Sequence, residues 1–338
     1  MSWAEITGQP LAIRLLRQAI TTNKLAHAYL FVGPQGVGKR LVALELAKSL
    51  NCLSPLPNGS ACDSCVSCRK LSAVPPTHPD LMIVEPDGRF IKTDQMREVQ
   101  AEMYARPTEG RARVAIIDGA ERMNPEAGNR VLKLLEEPPP FAVFILLTHN
   151  LAGVLPTIIS RCQIVNFPPL ATDQVAAYLQ DVRRMEAGQA RLFAALSGGS
   201  IGRAVDLAAD PELTQRRDEA YELLSRLYEY DDVDLMARAE ALEKQKDGLD
   251  SHLEMLTVWL RDALVLSQEA PSSLVVNADR MSQVRTLASR YGTAGLMAML
   301  EAVAETRGYL LRNANTRLTI DVLLLRLNQA ASSSGAAL

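Results

Sequence analysis

Two groups of residues in this sequence have the types and spacing to do chemistry. The first is Gly33-Pro34-Gln35-Gly36-Val37-Gly38-Lys39, which lies between a short apolar run and a helical pattern. Glycines at this spacing let backbone N–H groups turn toward an anion, a helix N-terminus adds partial positive charge, and a lysine reaches the outer phosphates. Gly33, Gly36, Gly38 and Lys39 are therefore candidate phosphate-binding residues. The next residue is Arg40, where a metal-dependent loop of this kind carries the Ser or Thr hydroxyl that ligates magnesium. A second element, Val114-Ala115-Ile116-Ile117-Asp118, is an apolar strand pattern ending in an acid, and Asp118 can hold magnesium through water. Gly119 follows where a hydrolysing site carries a water-activating glutamate, and Glu121 sits nearby without that placement. Metal binding and nucleophile activation each typically carry orders of magnitude in rate. The loop reads either as a cradle that binds nucleotide without turning it over or as a relic kept for packing.

The second group is sulfur. Four of the five cysteines, Cys52, Cys62, Cys65 and Cys68, fall in one segment with C-x9-C-x2-C-x2-C spacing. Thiolates two residues apart in a tight turn can share one tetrahedral zinc, and Cys52 at the end of the preceding helical pattern can close the shell. Four thiolates leave no open coordination position, so such a zinc is structural. Disulfides are the main alternative, though nothing in the chain suggests an oxidising compartment; an iron–sulfur cluster and chance clustering are lesser ones. Cys162 stands apart and reads as a half-buried small apolar residue.

Arg161, in Ser160-Arg161-Cys162, is a further candidate. It follows a strand pattern that ends in Thr148-His149-Asn150, with Thr148 counted among the nucleotide-facing groups. The arginine is either an ordinary solvated side chain or one supplied in trans to stabilise charge on a neighbour's transferring phosphoryl group. Spacing does not decide between them.

The elements that must position these groups divide the chain. Its first half alternates helical patterns with short apolar runs, as expected of an α/β layer architecture around a largely parallel sheet. Strands are expected at Ala28–Val32, Leu81–Glu85, Arg113–Ile117, Ala142–Thr148 and Ile164–Phe167, and helices at Gln9–Thr21, Arg40–Leu50, Thr93–Tyr104 and Pro125–Leu135, with Thr93 a helix cap. After Pro168-Pro169 the pattern is helical: Asp173–Tyr178, Ala187–Leu196, Ile201–Ala208, then, beyond a break near Asp210-Pro211, longer helices to about Gln329. Domains are expected at 1–168, carrying the cysteine insert at about 52–68, at 169–209 and at 210–330, with a frayed tail at 331–338.

With 338 residues, 48% apolar, 22% charged and 5% aromatic, the composition fits a helix-rich globular protein of more than one domain. Thirty-six basic against thirty-nine acidic side chains give a net charge of −3, which argues against a surface that grips nucleic acid throughout. The N-terminus, Met1-Ser2-Trp3-Ala4-Glu5, has no basic stretch leading into an apolar one, and the run Phe141–Leu147 is too short to span a bilayer. A cytoplasmic protein without membrane contact is expected.

Taken together, Ile6-Thr7-Gly8-Gln9, His27-Ala28-Tyr29-Leu30-Phe31 running into the loop, the four-cysteine insert, Leu134-Leu135-Glu136-Glu137-Pro138-Pro139 and Ser160-Arg161-Cys162 resemble the AAA+ clamp-loader subunits of bacterial DNA polymerase III. The likeness extends to Asn313-Ala314-Asn315 and Leu323-Leu324-Leu325. It implies an α/β P-loop (AAA+) domain with a zinc-binding insert, a small helical lid and an all-α collar. Motor members of that family keep the hydroxyl and the acid that Arg40 and Gly119 replace, so the chain resembles the family's stator. That role implies a five-subunit ring in which Arg161 serves the site of an adjacent motor subunit, with the sliding clamp and primer-template DNA as partners through the complex. Gly198-Gly199-Ser200-Ile201-Gly202-Arg203 matches the lid segment where family members place a nucleotide-sensing arginine, which makes Arg203 a candidate or simply a helix-start charge. The helix Pro125–Leu135 with Glu136-Glu137-Pro138 is either near DNA in the assembled ring or just a packed amphipathic helix. Two rival functions stand beside this one: an active ATPase of the same family that tolerates Arg40, and a DNA-binding module built on the cysteine knob with Arg69 and Lys70.

Overall fold

The computed structural model describes residues 2–244, 248–312 and 314–335, so Asn313 and the last three residues of the expected tail lie outside it. Two compact units emerge. One comprises Met1–Arg184 with Ser197–Ala204, the other Met185–Leu196 with Val205–Leu338.

The first unit is built on five parallel strands, β1 (Ala28–Val32), β2 (Leu81–Val84), β3 (Arg113–Asp118), β4 (Ala142–Thr148) and β5 (Gln163–Asn166), in the order β2-β3-β4-β1-β5. All of β4 and all but the last residue of β3 are buried, which is why both read as continuous apolar runs: helices cover both faces of a parallel sheet. Between the strands run α1 (Pro10–Thr21), α2 (Lys39–Asn51), α3 (Val66–Ser72), α4 (Thr93–Tyr104), α5 (Pro125–Glu136) and α6 (Pro156–Ile159), with α7 (Thr172–Asp181) after β5. On one face, Met96, Val99 and Met103 of α4 and Val131, Leu134 and Leu135 of α5 pack with Ala115, Ile117, Phe144 and Leu146 of the central strands. α5 starts where Asn124 accepts a hydrogen bond from the Ala127 amide at 2.8 Å and Pro125 takes the first helical position.

Several expected elements shift by a residue at an end, two of them instructively. Edge strand β5 is Gln163–Asn166 with only Val165 buried, so its apolar pattern was a weak guide to its ends. Thr93 is the first helical residue of α4 and not its cap; Lys92 is the cap, and its amide donates to Gln95 Oε1 at 2.8 Å.

The second unit is helical: α8 (Ala187–Leu196), the C-terminal part of α9 (Ile201–Ala209), α10 (Leu213–Arg226), α11 (Asp232–Lys244), α12 (Leu249–Ser267), α13 (Met281–Leu311) and α14 (Thr316–Gly335). α13 breaks at Gly292, where φ 55° and ψ 179° depart from helical geometry. Its core centres on Trp259, fully buried, whose indole N–H donates to the Arg217 carbonyl at 3.0 Å. Of the expected tail, residues 331–335 continue the last helix. α14 runs to Gly335 with Ala331 buried, because Ala331 extends the stripe Ile320, Leu323, Leu324 and Leu327 at helical spacing.

Candidate functional site

The glycine loop connects β1 to α2, and Lys39 is the first residue of that helix. Neighbouring segments hold it closely. The Gly33 amide donates to the Thr148 carbonyl at 3.2 Å, and a Cβ on Gly33 would meet the Phe167 carbonyl oxygen at 2.0 Å, so only glycine fits. Gly36, at φ 74°, accepts at its carbonyl from the Gly202 amide at 3.0 Å, and a Cβ there would meet Ser200 Oγ at 2.3 Å. Gln9 was not singled out as a site residue by sequence reasoning. It is buried, and its amide donates to the carbonyls of Val37 at 3.3 Å and Pro168 at 2.8 Å, tying the loop to the end of the α/β layer.

The Lys39 ammonium turns back onto the loop and donates to the carbonyls of Gly33 at 2.6 Å and Pro34 at 2.7 Å. Burial lowers its pKa from the usual lysine value, against the opposing pull of Asp118 and Glu121.

Arg40, the second residue of α2, lies at the metal position of the loop. Its guanidinium pairs with Glu85, just beyond β2, and lies 3.7 Å from Asp118 at the end of β3. The carboxylate that would hold magnesium through water thus faces a fixed cation. Gly119 follows at φ 86°, a left-handed conformation that disfavours the glutamate of a hydrolysing site. Glu121 is drawn elsewhere: it accepts from Thr148 Oγ1 at 2.6 Å and lies 2.8 Å from His149 Nδ1. The donor set at this pocket does not fit a magnesium ion.

Other predicted residues fall into two places. Arg203 is exposed on the first turn of α9, and its amide donates to Ser200 Oγ at 3.1 Å, so its backbone lies by the loop. Arg161 follows α6, with partners that belong to no part of the loop: the Thr157 carbonyl at 3.1 Å, Ser160 Oγ at 3.4 Å and Glu136 Oε1 at 2.8 Å. Cys162 is half-buried, as its sequence suggested, and burial pushes its thiol up to about 12.

The cysteine cluster sits at the other end of α2. Cys52 caps that helix, Cys65 caps α3, and Cys68 lies within α3. All four Sγ atoms lie within 4.8 Å of one another, with Cys62 and Cys68 at 3.9 Å. A tetrahedron of zinc–sulfur bonds of about 2.3 Å sets its sulfurs about 3.8 Å apart, so the four could hold one metal ion. Backbone amides point at the sulfurs: Cys62 N–H to Cys52 Sγ at 3.2 Å, Cys65 N–H to Cys62 Sγ at 3.4 Å and Cys68 N–H to Cys65 Sγ at 3.4 Å. The Ser64 amide and hydroxyl hold the Cys62 thiol down at about 6, whereas burial drives Cys68 upward. Four thiolates this close need a cation to offset their mutual repulsion. Behind the knob, Lys48 of α2 bridges the buried Glu45, at 2.7 Å, and Asp63 of the knob.

A loop of this sequence between the strand β1 and a helix, next to a strand-end acid and in a parallel α/β layer, defines a P-loop protein. A family model described as "DNA polymerase III, delta subunit" matches residues 8–171, and one described as "DNA polymerase III, delta subunit, C terminal" matches residues 211–329. The DNA polymerase III subunit delta' of Bacillus subtilis (strain 168) is 31% identical over 335 residues, covering 97% of this chain and 99% of that protein. The delta' subunit of Pseudomonas aeruginosa is 41% identical over 139 residues, 40% of this chain and 42% of its own length. The gamma/tau subunit of Mycobacterium bovis is 32% identical over 96% of this chain but over 61% of its own length. The chain belongs to the DNA polymerase III delta' subunit family.

Proposed function

We propose that this chain is the fixed, non-hydrolysing subunit of a clamp-loader ring, and that its part in turnover is to present Arg161 to the nucleotide of an adjacent motor subunit. The observation that carries this reading is the Arg40 guanidinium facing Asp118, with Gly119 next in sequence. Neither the hydroxyl that ligates the metal nor a water-activating acid is in place, and losing either costs orders of magnitude in rate. Gly33, Gly36, Gly38, Lys39, Asp118, Thr148 and Arg203 then form a silent nucleotide pocket. In this reading residues 1–168 are the AAA+ module, 169–209 the lid and 210–330 the collar that joins the partner subunits. The partners are gamma/tau-type and delta-type subunits, with the sliding clamp and primer-template DNA met through the assembled ring in the cytoplasm. The knob carries one structural zinc on Cys52, Cys62, Cys65 and Cys68. No described helix is long and apolar enough to cross a membrane.

Arg161 suits a role in trans because its anchors among the described residues are a carbonyl, a hydroxyl and a partly exposed carboxylate. A surface pair of this kind is worth about 0–1 kcal/mol, little enough for an incoming phosphate to displace it. An arginine finger is worth about 10³ or more in turnover. Arg161→Ala should therefore leave ring assembly intact by gel filtration yet depress the ATPase of a reconstituted complex by about 10³ at the affected site. Unchanged turnover in an intact ring removes the trans role.

A further inference from the structure

We infer that Arg40 is a built-in cation that occupies the magnesium position of the loop, so that the pocket closes itself to divalent metal while keeping the rest of its phosphate cradle. This rests on reading the loop as a phosphate cradle and is independent of any role for Arg161.

The argument starts from position. Arg40 follows Lys39 and is the second residue of α2, where a metal-recruiting loop places its hydroxyl. A hydroxyl there is a neutral oxygen ligand; a guanidinium has five N–H donors, no acceptor and a permanent charge. It cannot ligate a cation. It can replace one, and its placement does so. The group pairs with Glu85 and lies 3.7 Å from Asp118, so one side chain spans two carboxylates from the ends of neighbouring strands β2 and β3. Two acids left at this spacing repel each other and attract a divalent ion. Arg40 neutralises them from within the chain and would repel any ion that approached.

The remainder of the cradle is retained around it. Gly36 and Gly38 keep the positive φ values, 74° and 102°, that turn their peptides. Among the described residues, the amides of Gly36, Val37 and Gly38 have no backbone or side-chain acceptor in the protein, which leaves those donors free. Lys39 hydrogen-bonds two carbonyls of its own loop. Asp118 still ends β3, and Thr148 still ends β4 in register beside β1. One side chain therefore separates this pocket from a metal-binding one. Gly119 would limit hydrolysis in any case, so metal binding and turnover are restricted by different residues.

The experiment uses the full chain and a fluorescent ATP analogue, titrated by anisotropy in magnesium chloride and in EDTA. Whether or not the wild type takes the nucleotide, magnesium should leave its titration unchanged. Arg40→Thr should gain a component at least about tenfold tighter in magnesium than in EDTA, equivalent to about 1.4 kcal/mol. Adding Lys39→Ala to that variant should remove the gain, and Arg40→Lys, which keeps the charge, should behave as the wild type. Wild-type binding strengthened about tenfold by magnesium overturns the inference with no variant needed. So does a folded Arg40→Thr chain, with its melting curve intact, that shows no metal response. Neither result bears on the Arg161 test, which reads the ATPase of a neighbour.

Discussion

The two ends of α2 carry opposite outcomes. At its N-terminus the phosphate loop has kept its glycines and lysine but has an arginine where metal chemistry needs a hydroxyl. At its C-terminus the cysteine knob has all four sulfurs, close enough to share one ion. The difference sets a metal position filled by an arginine against four available thiols along one helix, which acts as a structural strut between them. What the strut must preserve is the geometry of its ends, and the knob, Gln9 and the Lys48 bridge supply that independently of nucleotide.

The largest expected effect breaks the comparison at its complete end. Structural zinc sites in small folds are worth roughly 10 kcal/mol or more in apparent binding. Cys68→Ser, at a fully buried ligand, should lower bound metal from about one zinc per chain to near none by elemental analysis and open the 53–64 segment to protease. The loop of residues 33–39 should stay resistant. A wild-type chain that carries no zinc and keeps its knob protected would show that the two ends do not differ in this way.

A smaller effect lies between the ends. Lys48 and Glu45 are both buried, and removing one partner of such a pair typically costs about 3–5 kcal/mol. Lys48→Met should destabilise the chain by that order in urea unfolding, and Lys48→Met with Glu45→Met should recover much of the loss. Burial already pushes the Glu45 carboxyl up to about 7, so the folded state favours its protonated form. The single variant's loss should therefore shrink as pH falls; a pH-independent loss would mean that the pair acts through packing alone.

The smallest effect sharpens the comparison by separating two acid-sensitive groups. Thiolate zinc ligands take up protons in acid, and so does His252 in the helical unit. His252 is buried, and among the described residues neither ring nitrogen has a hydrogen-bond partner. Burial lowers its pKa, with Arg216 adding to the shift and Glu219, 3.9 Å away, opposing it. The unfolded chain then binds more protons, so stability is present above the unfolded histidine value near 6.5 and is lost as pH falls from there toward the lower folded value. His252→Leu should flatten that part of the melting-temperature profile and leave acid-induced zinc release unchanged. An unaltered slope would assign all of the acid sensitivity to the knob.

Much of the scaffold was legible in the sequence because its signals are local. β1 and β4 were bounded to the residue, since each is a buried apolar run stopped by polar or glycine punctuation. The loop, the cysteine set and the order of helices could be read the same way. Edge strand β5 was offset by one residue, because three of its four residues are exposed and its first and last, Gln163 and Asn166, are polar. The site was harder to read. Glu85 lies 45 positions from Arg40, just past the short strand β2, and Glu136 was visible only as part of a Leu-Leu-Glu-Glu-Pro-Pro run. Gln9 was noted without a task, yet it holds the loop to Pro168 across 159 positions.

By itself, the sequence determined which groups are available: a lysine with no neighbouring hydroxyl, an acid with no acid after it, and four thiols at metal spacing. Those are facts of residue type and of short-range order, and they survive in any conformation. Only the tertiary structure decided which charge meets which. The parallel order β2-β3-β4 puts the ends of distant strands side by side, so Arg40 finds Glu85 and Asp118 together, while Glu121 is taken by Thr148. Electrostatic pairing depends on distances of a few ångströms, and distances between residues far apart in the chain are set by strand order.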